Sequence, residues 1–354
     1  MSTDMPSSSS LGTAPPQAPL VTFALFAYNQ EKFIREAVEG AFAQTYEPLE
    51  IILSDDCSTD RTFEIMQEMA AAYRGPHRVR AVQTPHNLGV MQHVLLRGRE
   101  AAGDIVVVAA GDDISLPERV ARHVPCYADP KVWAVSTGFH LIDADSQPVD
   151  KSATIIGERI TQRVRPGEPS YLRDLPEGYT TIQGSTASYR KAVFCLVPSG
   201  QTMRFAEDQL FTFAIHALGY QVDYLPHPLL CYRIHANAIS NLPHGGRDWR
   251  AEELKSARHL VAEIERLALF LEFTHERHLH AIVDVSALQE NLAALQEQKN
   301  WAALSGAERA VFLIRALLKG NCRLLKWKLA RVAGPFPDYW PKRSLARYQR
   351  KYRV

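Results

Sequence analysis

Asp104–Pro117 reads Asp-Ile-Val-Val-Val-Ala-Ala-Gly-Asp-Asp-Ile-Ser-Leu-Pro, and this stretch decides the fold. Ile105 to Ala110 is short, rich in β-branched residues and free of polar alternation. That pattern predicts a strand buried on both faces of a parallel sheet. The strand stops at Gly111, Asp112 and Asp113, and Pro117 follows where a helix can begin. Open α/β sheets bind ligands at the carboxyl ends of their strands. Side chains of neighbouring residues in extended chain point opposite ways, so two adjacent carboxylates can serve different partners, one a hydroxyl pair and the other a divalent cation. Taken alone, Gly-Asp-Asp reads equally well as a capped turn.

Working outward, the same grammar repeats. Leu20–Ala27 is a buried strand that breaks at Tyr28-Asn29-Gln30, and Glu31–Gln44 then carries Phe33, Ile34, Ala37, Val38 and Ala41 at helical spacing. Leu49–Leu53 is a second strand, ending in Ser54-Asp55-Asp56-Cys57-Ser58-Thr59-Asp60 before a helix over Arg61–Tyr73. Val79–Gln83 is a third strand, His86-Asn87-Leu88-Gly89 a turn, and Val90–Ala102 a helix. Strands alternating with helices predict βαβ units with right-handed crossovers and a mostly parallel, Rossmann-like sheet flanked by helices. Three strand ends (Tyr28-Asn29, Asp55-Asp56 and Asp112-Asp113) then fall along one edge and build one site.

A dinucleotide-binding sheet needs a glycine-rich first turn, but Ala27-Tyr28-Asn29-Gln30-Glu31 has no glycine and carries an acid. No G-x-x-x-x-G-K-[ST] occurs either, so a bound nucleotide would need a metal to manage its phosphates. His275-Glu276-Arg277-His278 lacks the spacing of a zinc-protease helix. A net charge of +1 gives no reason to expect a nucleic-acid partner. The 5 cysteines are scattered, without C-x-x-C spacing, which argues for a reducing compartment and against zinc-thiolate sites. No apolar run reaches the ~18 residues of a membrane span.

Phe26-Ala27-Tyr28-Asn29, Leu53-Ser54-Asp55-Asp56-Cys57-Ser58-Thr59-Asp60, Asn87-Leu88-Gly89, and Gly111-Asp112-Asp113 with Pro117 resemble, in order and spacing, the N-terminal half of family 2 glycosyltransferases of GT-A fold. The resemblance covers residues 20–240 and implies a nucleotide-sugar donor of UDP or dTDP type, Mg²⁺ or Mn²⁺, and inversion at the sugar carbon. It places Tyr28 against the base, Asp55 as its hydrogen-bond acceptor, Asp112 on the ribose and Asp113 on the metal. Phe26, Asn29, Asp56, Asn87 and Gly89 complete the nucleotide-binding set. The family's usual acidic motif is Asp-x-Asp. With Gly111 in its first place, Asp113 is the one sure metal ligand of this motif.

Beyond residue 130 the pattern changes. Val132–Ile142 reads as a strand, residues 150–178 as an irregular acceptor-side region, and Gly184–Arg190 as a small-residue strand near the acceptor. Phe205-Ala206-Glu207-Asp208-Gln209-Leu210-Phe211 opens a helix with Glu207 and Asp208 in its first turn. There the helix dipole is expected to depress a carboxyl pKa and keep a base ionised. The pair resembles the family's Glu-Asp motif, which makes Asp208 the base and Glu207 its orienting or acceptor-binding neighbour. Tyr232-Arg233-Ile234-His235 resembles the motif closing the catalytic half, with Arg233 neutralising the leaving group and His235 joining the metal or diphosphate. Ala236–Gly246 is expected to be a lid.

The expected organisation is an N-terminal tail (1–19), a catalytic domain (20–245, its nucleotide half 20–130 and acceptor half 131–245) and a helical C-terminal region (246–354). Within the last, residues 306–354 intersperse Arg and Lys with Trp and Leu. That suits a helix on an anionic membrane surface and, equally, a packed helix with a solvated face. The function expected is transfer of a sugar to a glycan or lipid-linked acceptor in surface-polysaccharide or related glycan synthesis. A cytoplasmic location, with peripheral contact at the inner face of the membrane, goes with it. The alternatives are a degenerate, non-catalytic nucleotide-sugar binder and a nucleotidyltransferase; the latter lacks its basic, glycine-rich loop here.

Overall fold

In the computed structural model of the chain, β1 (Val21–Ala27) lies between β2 (Leu49–Asp55) and β4 (Ile105–Ala110) and pairs in parallel with both. The described residues are 18–149, 182–197, 207–235 and most of 264–303. Strand β3 (Arg78–Gln83) extends the parallel ladder beyond β2. Register puts Ala27 opposite Asp55, Asp55 opposite Gln83, and Phe26 opposite Ala110, so the polar strand ends do share one edge. β1 and β4 are buried almost throughout, as sequences apolar but for Thr22 favour. Helices α1 (Ile34–Phe42), α2 (Thr62–Ala72) and α3 (Val90–Glu100) make the crossovers, and α1 seals the core with Ile34, Ala37, Val38 and Ala41.

Past β4 the sheet becomes mixed. β5 (Ile114–Ser115), α4 (Arg119–His123) and β6 (Val132–Ile142) follow, and then β7 (Ser188–Arg190), α5 (Glu207–Ala217) and β8 (Gln221–Arg233). β7 runs antiparallel between β4 and β6, while β8 is parallel to β6 and antiparallel to β5. The eight strands form one sheet of order β3-β2-β1-β4-β7-β6-β8-β5. The small-residue stretch expected as a strand over Gly184–Arg190 is a 3₁₀ turn at Gly184–Thr186 followed by β7. The two-residue β5 and the length of β8 lie outside what periodicity signals. Pro226 and Pro228 interrupt β8, and its register with β6 slips around Gly138.

The chain divides into two compact units, Met1–Ala293 and Ala294–Val354. In the first, helical residues 267–276 lie against α5, where Phe270 stacks on Phe213 with ring centroids 4.0 Å apart. Helix α6 (Val285–Ala303) continues into the second. No helix among the described residues is long and apolar enough to cross a membrane. Residues 1–17 of the expected 1–19 tail, the acceptor-side region 150–178, the lid and the basic segment 306–354 lie outside the described residues.

Candidate active site at the strand ends

The β1–α1 and β2–α2 loops are stitched to each other. Asn29 takes a positive φ of 53°, its N–H donates to Ser58 Oγ, and its Oδ1 accepts from Thr59 N–H at 2.8 Å. Gln30 N–H donates to Thr62 Oγ1, and Glu31 N–H to Asp60 Oδ2. Asn29 is thereby engaged in building the loop. Tyr28 projects from it, 46% exposed, the one exposed large aromatic side chain among the described residues.

Asp55 and Asp56 hold two further loops. Asp55 is fully buried, and its Oδ2 accepts from Ser58 N–H (2.8 Å) and Gln83 Nε2 (2.9 Å), while Oδ1 accepts from the Ser58 hydroxyl. Both oxygens expected to face a base are thus engaged by protein donors. Asp56 accepts from Thr84 Oγ1, Leu88 N–H and Gly89 N–H, and Asn87 Nδ2 donates to the Asp56 carbonyl. Gly89 has φ 77° and ψ 160°, a region closed to side-chain-bearing residues. Beneath this edge Phe26 meets the edge of the His93 ring, and His93 Nε2 lies 2.6 Å from Ser54 Oγ. Burial pushes the His93 imidazole down to about 4, so it stays neutral at physiological pH.

Asp112 and Asp113 leave β4 with different environments, as alternation predicts. His235 Nε2 lies 3.0 Å from Asp112 Oδ2, and its ring packs on Phe33. The structure thus joins His235 to Asp112, the expected ribose carboxylate, and not to Asp113. Asp113 is buried; its Oδ1 accepts from Arg233 N–H at 2.9 Å, and its Oδ2 has no hydrogen-bond partner. Ser185 lies beside the Asp113 carboxyl without completing a bond to it. Burial, reinforced by Asp112, pushes the Asp113 acid well up, against the pull of Arg233, Ser185 and Arg119.

Arg233 was expected at the leaving group. Its guanidinium is fully buried and committed elsewhere: Nε donates to the Asp112 carbonyl (2.7 Å), one terminal nitrogen to Ser146 Oγ (2.8 Å), the other to Glu36 Oε2 (2.7 Å). It also lies over the Phe33 ring. Its fixed fork braces the Gly-Asp-Asp turn.

Glu207 and Asp208 occupy the first turn of α5, as the sequence indicates. Glu207 is buried, with Oε2 unpartnered. Asp208 is half-buried; its Oδ2 accepts from Gly184 N–H (3.1 Å) and its Oδ1 from Gln209 N–H (2.7 Å). The dipole was expected to depress these acids, but desolvation outweighs it. Burial raises Glu207 to about 8, with Asp208 adding to it, and raises Asp208 to about 6 against the backbone hydrogen bonds that lower it. At neutral pH Asp208 is ionised and Glu207 protonated. The turn Gln183–Ala187 therefore touches both acidic centres, Asp113 beside Ser185 and Asp208 on Gly184.

A divalent cation fits this donor set. One buried carboxylate oxygen without a partner is what a hard cation would satisfy, and Mg²⁺-type sites commonly use one or two carboxylates with substrate phosphates supplying the rest. Among the described residues no group of three or more His, Cys, Asp and Glu forms a self-sufficient cage.

The edge thus combines an open parallel ladder, an exposed tyrosine and an acid pair at a strand end, with a second acid pair on α5 reached through the Gly184–Ser185 turn. Residues 22–196 match the family described as "Glycosyl transferase family 2". An uncharacterized glycosyltransferase of Haemophilus influenzae is 27% identical over 242 residues, 67% of this chain and 72% of that protein. An uncharacterized protein of Mycobacterium tuberculosis is 41% identical over 223 residues, 60% of this chain and 58% of its own length. The chain thus spans less than two thirds of some of these relatives; for a putative glycosyltransferase of Bacillus subtilis, EpsE, the share is 45%. Among solved structures, the mannosyltransferase PcManGT of Pyrobaculum calidifontis, in complex with GDP-Man and Mn²⁺, superposes with a TM-score of 0.52. It is 19% identical, covering 90% of this chain and 87% of that one, a likeness of fold. The chain belongs to glycosyltransferase family 2, and its fold is GT-A. The family match ends before α5, so Asp208 lies beyond it.

Sequence reasoning missed Gln83, which holds Asp55, and Arg119, whose fully buried guanidinium lies under the site. Nothing in Leu-Pro-Glu-Arg separates a buried arginine from a solvated one.

Proposed function

We propose that the protein is a metal-dependent inverting glycosyltransferase that moves a sugar from a UDP- or dTDP-type donor to a hydroxyl of a glycan or lipid-linked acceptor. The observation that carries this reading is the single turn shared by two acids of opposite task. Ser185 lies beside Asp113, which has a free buried oxygen, and Gly184 holds Asp208, which is ionised at neutral pH.

In this reading Tyr28 flanks the base, with Asp55 beneath it fixing Ser58 and Gln83, and Asp112 takes the ribose hydroxyls with His235 behind it. Asp113 Oδ2 would hold Mg²⁺ or Mn²⁺, which when bound neutralises the diphosphate as it departs. Asp208 accepts the proton of the acceptor hydroxyl as that oxygen attacks the anomeric carbon from the face opposite the leaving group. A base near 6 is well matched to work at neutral pH. Glu207, protonated, can donate a hydrogen bond to the acceptor. An intact acid pair on α5 speaks against a degenerate binder. Surface-polysaccharide or related glycan synthesis, on the cytoplasmic side with the basic 306–354 segment touching the membrane, is the setting that this chemistry and composition suit.

Calorimetric titration with UDP, dTDP and GDP, each with and without Mn²⁺, tests the reading. GDP is included because the mannosyltransferase of like fold carries GDP-Man. Mn²⁺-dependent binding of one diphosphate, lost in Asp113→Asn, is the expected result. No binding of any of the three would mean that Gly111-Asp112-Asp113 is a turn and not a site.

A further inference from the structure

Arg119 is among the largest side chains of the protein with no exposed surface. A buried guanidinium is costly unless its donors are met and its charge is balanced. One terminal nitrogen donates to Ser115 Oγ at 2.9 Å. The other is shared among three carbonyls: Val108 of β4 at 2.8 Å, Ser185 at 2.8 Å and Ala187 at 3.3 Å. No carboxylate makes a hydrogen bond or ion pair with it among the described residues and its Nε has no partner; burial lowers the guanidinium to about 10, with Asp113 and Tyr189 pulling the other way. Its five donors could have been met by water at lower cost had α4 turned this residue outward. Its contacts instead bridge the two halves of the sheet at the site.

The bridge has a definite geometry. Val108 and Ser115 bracket the Gly-Asp-Asp turn, two residues beyond Asp113 on one side and five before it on the other. Ser185 and Ala187 belong to the turn whose Gly184 N–H binds Asp208 Oδ2. Besides Arg119, that turn is fixed against β4 by a backbone bond at Ala187 and by the β4–β7 ladder that begins at Ser188. Thr186 N–H and Ala187 N–H donate back within it, to Gln183 and Gly184 carbonyls, and Ala187 O accepts from Val108 N–H. We infer that Arg119 is a positioning residue of the transfer reaction: its guanidinium sets where the Gly184–Ser185 turn stands relative to the end of β4, and so sets the base against the donor. It touches no reacting atom itself. The inference rests on the reading of Asp113 and Asp208 proposed above.

A positioning residue differs in its signature from a core residue. Loosening the turn should weaken the Gly184 N–H bond to Asp208, which helps to keep that carboxyl ionised, so the acidic limb of kcat should move to higher pH. The groups facing Asp208 are Glu207 and Gln209 on its own turn, Gly184 across from it, and Tyr189 of β7. Of these, the variants below change only the position of Gly184. Arg119→Lys keeps a cation but loses the fork. Ser115→Ala keeps Arg119 and removes one of its anchors.

The experiment uses the full chain and Mn²⁺ with UDP-glucose and GDP-mannose as donors, following donor cleavage with water as the default acceptor. If the wild type cleaves neither and binds neither nucleotide, the functional reading fails and this one with it. With an active wild type, Arg119→Lys should keep the donor KM within about twofold and lose roughly tenfold or more in kcat, with the acidic limb displaced upward by about half a pH unit. Ser115→Ala should show the same pattern more weakly, and it decides the matter if Arg119→Lys does not fold. An unchanged kcat and limb in the folded variant, or a loss confined to KM, overturns the inference.

Discussion

The backbone N–H of Arg233, at the end of β8, donates to Asp113 Oδ1 at 2.9 Å, and the side chain of the same residue donates to the Asp112 carbonyl. One residue from the last catalytic strand thereby fixes both members of the acid pair that ends β4. The arrangement leaves Asp113 Oδ2 as the free oxygen, because the other is already taken. Arg233 is in turn held by Glu36 of α1 in an ion pair of 2.7 Å, with the arginine end wholly buried and the glutamate end partly exposed.

Removing the arginine is therefore expected to be far worse than removing its partner. Arg233→Ala leaves the Asp112 carbonyl and Ser146 without their donor and opens a cavity, for an expected loss of about 3–5 kcal/mol in urea unfolding. Glu36→Gln keeps a hydrogen-bond acceptor at a half-exposed position but takes the counter-charge from a buried guanidinium, so it should cost about 1–2 kcal/mol, less than Arg233→Ala. Equal losses from the two variants would show that Arg233 is not the brace described.

The acids of α5 should separate cleanly by their protonation. Asp208 must be ionised to accept a proton, and burial raises its carboxyl to about 6, so kcat is expected to rise with pH through that value and level off above it. Asp208→Asn should lower kcat by about 10²–10⁴ without loss of folding. Glu207 is raised to about 8 and is already neutral at pH 7, so Glu207→Gln preserves both its charge state and its shape. It should retain most activity, where Glu207→Ala does not. A Gln variant as inactive as Asp208→Asn would show that Glu207 works as a carboxylate.

Much of this site is legible in the sequence because it sits where sheet periodicity breaks. Ile105–Ala110 is apolar throughout, Val21–Ala27 is so but for Thr22 and Leu49–Leu53 but for Glu50, and a buried parallel strand is the reading such runs favour. Their polar ends then have to converge. Glu207 and Asp208 were equally visible as a helix start, but the sign of their shift was not. Dipole and desolvation oppose each other there, and the depth of burial that decides between them is set by β7 and the Gly184 turn, far away in sequence. Arg233 and Asp55 were placed at the right edge, but their engagement by Glu36, Ser146, Gln83 and Ser58 depends on loops that carry no period. Arg119 left no trace at all, since only tertiary structure turns it inward.

Two histidines give the protein a predictable acid sensitivity. Burial pushes His93 down to about 4 and His123 well below its ordinary value, the latter helped by Arg119. In the unfolded chain both titrate near ~6.5. As pH falls through that value, the unfolded state takes up protons at these two histidines that the folded state refuses, so their contribution to stability is full above it and is lost progressively on acidification. Glu207 and Asp208, raised to about 8 and about 6, and Asp113, pushed well up, act in the opposite sense over the same range, so the histidine contribution is read as the difference between wild type and His93→Gln in the slope of thermal midpoint between pH 6.5 and 5. His93→Gln should flatten part of that slope whatever it does to the midpoint at pH 7.5. A slope identical to wild type would mean that His93 takes up its proton in the fold.

Gly184 is the last place where packing and chemistry can be separated. A Cβ built there would stand 2.8 Å from Glu207 Oε1 and 3.8 Å from Asp208 Cβ. Its backbone is not in the left-handed region, so alanine meets no conformational objection, only the buried carboxyl. Because Glu207 is enclosed, it cannot swing into solvent to make room, and overpacking of this kind costs about 1–3 kcal/mol. Gly184→Ala is expected to lower both the unfolding midpoint and kcat, since the same shift disturbs the N–H that holds Asp208. Combining it with Glu207→Ala removes the clash, so the double variant should be more stable than the sum of the two single losses predicts. Strict additivity in urea unfolding would show that the methyl group and the Glu207 carboxyl never meet. The fall in kcat would then need a cause in the turn's backbone alone.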